Sequence, residues 1–495
     1  MSSLIFPKNS NQAKRLARAV SNGELKRIRR GIYTDADWDE IPLLLSNQWH
    51  AVVAYLYPGA IVSYSSAALL RPQNKVVHIT ADVKVRKKIN ISNLLIIEVH
   101  PGDCNRLTEP FIPTLRRSSP SRYLLENLQI THGDVAAPRA LGRKWVEAEL
   151  CKLLERRGEG EIRKLHSEAR SYSHSVSLNR EFCLLDTIIG ALLSIRSATA
   201  LVTPVAIALI NKQPFDQDRV VLFEGLAAYL DQCSLPLINY SYSKANWRNL
   251  AFFESYFSNF IEGTRFEIEE AEQIVFEHEE IQNRPEDCHD VLSVFEVVHD
   301  YTEMAMVPDT TEELFQLLKQ RHALIMRARP HNHPGELKLK PNRVGNTHFV
   351  EPDKIKGTLN QAFPFYQQLA PGIWRGVFMH FIIAECHPFD DGNGRLARIM
   401  MNAELVSAGQ HKLIVPTVHQ DSYLNGLRQA SRSGRFRTIT KVIADLQGYS
   451  SRIPWEDYGE ARTTLESHCA EKLPDEGIGL FNRQISQFKL ALPAG

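Results

Sequence analysis

Twelve consecutive residues, His387-Pro-Phe-Asp-Asp-Gly-Asn-Gly-Arg-Leu-Ala-Arg398, carry more chemistry than any other part of this chain. His387 offers a base that titrates near neutrality. Asp391 offers a hard oxygen ligand suited to Mg²⁺. Gly392, Asn393 and Gly394 read as a turn opening a new helix, which aims free backbone N–H groups and the positive end of the helix dipole at an anion. Arg395 and Arg398 follow at i and i+3, on one helical face. A base, a metal-holding carboxylate, an anion cradle and two forked donors together read as a nucleotide site.

The elements around the motif must position these groups. Residues 374–384 are apolar nearly all round, which predicts a buried helix delivering His387 at its C-terminal end. A second helix runs from Arg395 to about Ser407 and is stopped by Gly409. Residues 334–350 read as two β runs about a turn at Gly345-Asn346. Further upstream, Leu250, Phe252, Phe253, Tyr256, Phe257 and Phe260 give an apolar helical run that ends in Ser258-Asn-Phe-Ile-Glu262-Gly263.

The twelve residues match the H-x-F-x-[D/E]-G-N-G-R-x-x-R signature of Fic enzymes at every specified position, so residues 236–450 resemble a Fic domain. The resemblance implies a mainly α-helical Fic fold with a β-hairpin flap at 334–350. It makes His387 the general base that takes a proton from a target hydroxyl, so that the oxygen attacks the α-phosphorus of ATP. Phe389 becomes the apolar anchor of the loop, and Asp391 the ligand of Mg²⁺ (or Mn²⁺). Gly392, Asn393 and Gly394 become the anion nest, and Arg395 and Arg398 the phosphate partners. Relatives of the Doc type, which transfer phosphate, carry Lys where this chain has Gly394; the glycine accords with nucleotidyl transfer. Ser258 to Gly263 fits [S/T]-x-x-x-E-[G/N], which resembles the inhibitory helix of Fic proteins; Glu262 would then pair with Arg398 and occupy the donor meant for the γ-phosphate. Tyr423 and Leu427 fall near the expected adenine pocket. The implied activity is transfer of AMP from ATP to Ser, Thr or Tyr hydroxyls of a protein target, the enzyme itself included, held back by its own helix. The alternatives are removal of AMP at the same site, or a DNA-binding regulator whose Fic part senses nucleotide.

The remainder of the chain sets the context. A length of 495 residues predicts several domains, and Lys+Arg 58 against Asp+Glu 57 leaves no overall charge to favour nucleic acid or membrane. The seven cysteines are scattered without a C-x-x-C pair, and residues 1–15 lack an apolar leader; the expectation is a cytoplasmic protein with reduced thiols and no membrane span. Charge is nonetheless concentrated locally. Lys14, Arg15 and Arg18 lie on a short predicted helix, and Arg29 and Arg30 on a hairpin framed by Arg30-Gly31. This basic segment, 1–34, looks winged-helix-like and resembles the N-terminal module of AbiEi-type antitoxins, which implies contacts with DNA; Gln12 is the candidate base reader. Residues 35–135 read as a small α/β domain with β runs at 60–63, 76–80, 94–99 and 111–115, and with His78 and His100 at strand edges. Helices fill a connecting domain at 136–235, the boundary with the Fic part falls at 235–239, and 451–495 is a C-terminal extension. A homodimer is left open by these residues.

Overall fold

The computed structural model describes residues 3–131, 136–195, 198–345, 347–485 and 492–493. The chain divides into two compact units, Met1–Lys212 and Gln213–Gly495.

In the first unit the strands are β1 (Leu4–Ile5), β2 (Lys26–Arg29), β3 (Ile32–Thr34), β4 (Ile61–Val62), β5 (Val76–Ala81), β6 (Lys87–Ile91), β7 (Leu95–Pro101), β8 (Thr108–Ile112) and β9 (Leu115–Ser118). The basic helix forms at Ser10–Ser21, started by Asn9, whose side chain accepts from the Gln12 N–H. Its hairpin is joined by β1 in the order β1-β3-β2. One helix, Ser10–Ser21, precedes the hairpin, where a full winged helix-turn-helix has three.

The larger sheet runs β6-β7-β5-β4-β9-β8, with β5–β7 and β4–β9 parallel and the other pairs antiparallel. Residues 111–115 therefore span the end of β8, the turn at 113–114 and the start of β9, and are not a strand of their own. His78 and His100 lie on interior strands rather than at edges. Their rings meet at 3.2 Å, Nδ1 to Nε2, and both are buried. Apolar side chains of this sheet share one core with Ile28, Ile32 and Trp49 and with Leu150, Leu165 and Ile188 of the following helices. The expected segments 1–34 and 35–135, with the part of 136–235 up to Lys212, lie in one compact unit.

In the second unit the core is helical. Helix Gln217–Asp231 sends Phe223, Leu226 and Leu230 into it, which moves the boundary from the expected 235–239 to Lys212/Gln213. The segment expected as an extension also belongs here, because Trp455, Leu465 and Phe481 are buried in the same core. Helix Lys244–Ile261 begins with a reciprocal cap between Ser243 and Asn246 and buries Phe252, Phe253, Tyr256 and Phe257. Each such aromatic removes enough apolar surface from water to contribute about 1.5–3 kcal/mol. Helix Ile373–Cys386 is buried on nearly every side, as its composition predicts, and packs against Asn393–Ser407. The hairpin upstream is short, β10 (Arg343–Val344) against β11 (Thr347–His348). The other half of its expected turn, Asn346, lies outside the described residues. None of the seven cysteines is in a disulfide, and no helix among the described residues is long and apolar enough to cross a membrane.

Candidate active site

The loop between helices Ile373–Cys386 and Asn393–Ser407 gathers the motif. His387 caps the first helix with a left-handed backbone, φ 49°, and its N–H donates to Ile383 O. This conformation is uncommon for a residue with a Cβ and turns the ring out of the helix. Its Nδ1–H donates to Ala384 O at 3.1 Å, which leaves the Nε2 lone pair free to accept a proton. The ring lies flat on Phe349 of the flap, centroids 3.8 Å apart and planes 5° from parallel. Burial, with a further contribution from the Lys338 ammonium, pushes its pKa down to about 4; the Ala384 bond, Glu262 and Asp391 act in the opposite sense. His387 is therefore an unprotonated base throughout the neutral range.

Phe389 is fully buried and stacks on His322 at 3.8 Å. Asn393 closes the loop on itself: its Oδ1 accepts from Phe389 N–H and its Nδ2 donates to Phe389 O, both at 2.9 Å. Its side chain is thus a staple of the loop. The first intrahelical bond runs from Leu396 N–H to Gly392 O, so the N–H groups of Asn393, Gly394 and Arg395 precede the ladder. Gly392 has φ 72°, and a Cβ there would meet Met326 Sδ at 2.7 Å.

Asp391 is exposed, its Oδ1 accepting from Gly392 N–H and its Oδ2 from Asn332 Nδ2. No group of three or more His, Cys, Asp or Glu able to hold a metal exists among the described residues. A single oriented carboxylate fits a Mg²⁺ ion whose other ligands are phosphate and water, and not a metal held by protein alone. His278, His289 and His299 form no metal cluster.

The two arginines are both buried and both occupied. Arg398 Nη2 meets Glu262 Oε1 at 2.7 Å and Ser258 O at 2.9 Å, its Nε donates to Ser258 Oγ at 2.9 Å, and its Nη1 reaches Tyr423 Oη at 3.5 Å. Helix Lys244–Ile261 ends at this point because Gly263, φ 97°, reverses the chain, its N–H bonded to Phe260 O. Glu262 approaches so closely that a Cβ on Gly394 would collide with its carboxylate. Tyr423 is buried behind Arg398 and bonds His380 Nε2 at 2.6 Å. Arg395 Nη1 pairs with buried Asp290 at 2.8 Å, and Asp290 in turn receives Arg329.

Three contributors lie outside any motif. Asp290 holds Arg395. His322 accepts from Gly335 N–H at Nδ1 and donates from Nε2 to Asp391 O, fixing the loop from the opposite side. Lys338 is buried at the root of the flap, and burial lowers its pKa to about 8. A His, an Asp and a Lys in ordinary helical or loop contexts carry no spacing signal, so only packing reveals them.

The basic residues singled out in the sequence lie in the first unit. Lys14, Arg15, Arg18 and Arg30 are exposed, whereas Arg29 Nη1 donates to Asn90 O. Gln12 is engaged as well, its Oε1 accepting from Lys8 N–H.

Parts of this chain are similar to known proteins. The Fic/DOC family profile matches residues 312–405. The protein adenylyltransferase Fic of Drosophila grimshawi is 31% identical over 120 residues, covering 20% of this chain and 25% of that protein. The protein of the same name from Aedes aegypti is 31% identical over 103 residues, 21% of this chain and 20% of its own length. The matched stretches thus span about a quarter or less of these relatives. Among solved structures, a segment of Fic-1 from C. elegans aligns at 18% identity over 66% of this chain and 90% of that one, with a TM-score of 0.36. A Fic domain containing signaling protein from Bacteroides thetaiotaomicron aligns at 17% identity over 50% of this chain and 97% of its own, with a TM-score of 0.38. The motif His387–Arg398 lies inside residues 312–405, the stretch that matches the Fic/DOC family.

Proposed function

We propose that this protein is an auto-inhibited protein adenylyltransferase that moves AMP from ATP to a Ser, Thr or Tyr hydroxyl of a protein, itself included. The observation that carries the reading is the fixed tautomer of His387: Nδ1–H is committed to Ala384 O, and Nε2 is a free base beside the flap. A target segment paired along the flap would present its hydroxyl there. Nε2 takes the hydroxyl proton as the oxygen bonds to the α-phosphorus, and the bond from that phosphorus to the β-phosphate oxygen breaks to release pyrophosphate. Asp391 would hold Mg²⁺ arriving with the nucleotide, which neutralises phosphate charge when bound. The N–H groups of Asn393, Gly394 and Arg395 cradle the anion at the helix N-terminus. Glu262 supplies the inhibition by occupying Arg398.

The experiment is incubation of wild type and His387→Ala with labelled ATP, Mg²⁺ and cell lysate. Loss of a general base costs about 10²–10⁴ in rate; ATP binding should stay near that of wild type. An Ala variant that labels targets as fast as wild type overturns the assignment.

A second reading concerns the first unit. The helix Ser10–Ser21 exposes Lys14, Arg15 and Arg18 on a segment with no buried residue, a surface suited to DNA phosphates. It would add a regulatory role to the enzyme without replacing it.

A further inference from the structure

The flap is tied to the catalytic loop by one buried cation. Lys338 is 2% exposed; its Nζ donates to Asn342 Oδ1 at 2.6 Å and to Cys386 O at 3.3 Å, and lies 5.9 Å above the ring centroid of Phe349. Every one of these contacts leads to the loop that carries His387. Cys386 O is a terminal carbonyl of the helix that His387 caps, where a cation complements the negative end of the dipole. Asn342 passes the link on, its Nδ2 donating to Phe389 O at 2.9 Å. Phe349 is the face on which the His387 ring rests. The backbone adds a fourth tie, Lys338 N–H to Pro388 O at 2.9 Å.

A buried ammonium is costly unless its donors are satisfied. Its retention here, in a cage of loop carbonyl, flap amide and aromatic face, calls for a role that an apolar side chain would not fill. From this geometry we infer that Lys338 is a positioning residue, which locks the root of the flap to the catalytic loop and so fixes the distance between a flap-bound target hydroxyl and His387 Nε2. Its side chain bonds Asn342 and Cys386 rather than Arg395, Arg398 or Asp391, so its effect falls on the transfer step rather than on nucleotide capture. The outgoing side of the flap is held independently, by Arg219, which pairs with Glu385 and donates to His348 O at 2.8 Å. Loss of Lys338 would therefore loosen one root of the hairpin without releasing the other.

The inference rests on the adenylyltransferase reading for its kinetic consequence, but its structural consequence stands apart. The test uses the full chain in a Glu262→Gly background, with Lys338→Met, Lys338→Arg and, in case the Met variant does not fold, Asn342→Ser. Hydrogen exchange is followed by mass spectrometry over residues 338–349 and 386–393, beside ATP affinity and the kcat for AMP transfer. The expected result for Lys338→Met is faster exchange in both segments, ATP affinity within about two-fold of the parent, and kcat lower by about ten- to a hundred-fold, the scale of a misplaced reacting group. Lys338→Arg, which keeps the cation, should recover most of both effects, and Asn342→Ser should show the same pattern as Met in weaker form. Unchanged exchange in Met and Ser variants overturns the inference, as does a fall in ATP affinity that accounts for the whole loss, or an Arg variant no better than Met. A parent that transfers no AMP at all defeats the functional reading instead, and the exchange data still decide the role of Lys338.

Discussion

Replacing Glu262 by Gly removes the carboxylate that holds Arg398 Nη2 at 2.7 Å. The arginine does not become loose: Ser258 Oγ and O at 2.9 Å and Tyr423 Oη at 3.5 Å remain, so the guanidinium stays aimed while one N–H is freed. A hydrogen bond to a charged group is worth about 1.5–3 kcal/mol. Arg398 side chain is 5% exposed and Glu262 side chain 33%, so the lower half of that range is the better figure, because solvent screens the carboxylate. At about 1.4 kcal/mol per factor of ten, the population of phosphate-accepting enzyme should rise about ten-fold or more. The assay is the initial rate of AMP incorporation, into the protein itself and into lysate, with ATP affinity measured by calorimetry in parallel. Glu262→Gln gives a control of similar volume and should show a smaller rise, since its amide still accepts from Arg398. A rate and an ATP affinity both equal to wild type in Glu262→Gly would refute the inhibitory role of this pair.

Acid should destabilise the second unit through its buried histidines. His322, His387, His411 and His419 have pKa values lowered to about 4 and His380 to about 3, each by burial first, against 6.5 in the unfolded chain. Between those values the unfolded state binds more protons, so stability is full above pH 6.5 and falls as pH drops towards 4, by up to about 1.4 kcal/mol per pH unit for each histidine. Thermal unfolding followed from pH 8 to pH 5 checks this; a Tm that is flat from pH 7 to pH 5 contradicts it. By the same burial, the acid limb of kcat/KM in the Glu262→Gly enzyme should lie well below pH 6.5, whereas a limb at 6.5 would mean that His387 is solvated. The basic helix of the first unit should bind duplex DNA at low salt, and Lys14→Glu/Arg15→Glu/Arg18→Glu should lower the slope of log K against log salt by about three. Gel shifts with the full chain that are equal for wild type and the triple variant would leave the surface without that role.

The site was legible where chemistry demands residue types in a fixed local order. The His387–Arg398 run, the all-apolar helix before it and the Ser258–Gly263 helix end are each contiguous, so periodicity and turn residues suffice to place them. Glu262 reaching Arg398 across the fold was legible only through family resemblance, and the 2.7 Å pair shows the contact. Asp290, His322 and Lys338 were not legible, because each acts through a partner far along the chain and sits in a segment whose own pattern is ordinary. The boundary between the compact units was not legible for a related reason. Leu235 and Pro236 mark a break in helix, but a break in secondary structure is not a break in core, and Phe223, Leu226 and Leu230 already belong to the core of the second unit. In the first unit, β6 went unread because Lys87, Lys88 and Asn90 hide a strand that pairs with β7 along its whole length.

The central claim, that this site transfers a nucleotidyl and not a phosphoryl group, is tested most directly by the position of the label. Glu262→Gly is incubated with Mg²⁺ and either α-labelled or γ-labelled ATP, with and without His387→Ala added to the same chain. Protein-bound label from the α position alone, released pyrophosphate and loss of both in the His387→Ala variant are the predicted result. Protein-bound label from the γ position, or α-label that persists without His387, would contradict it.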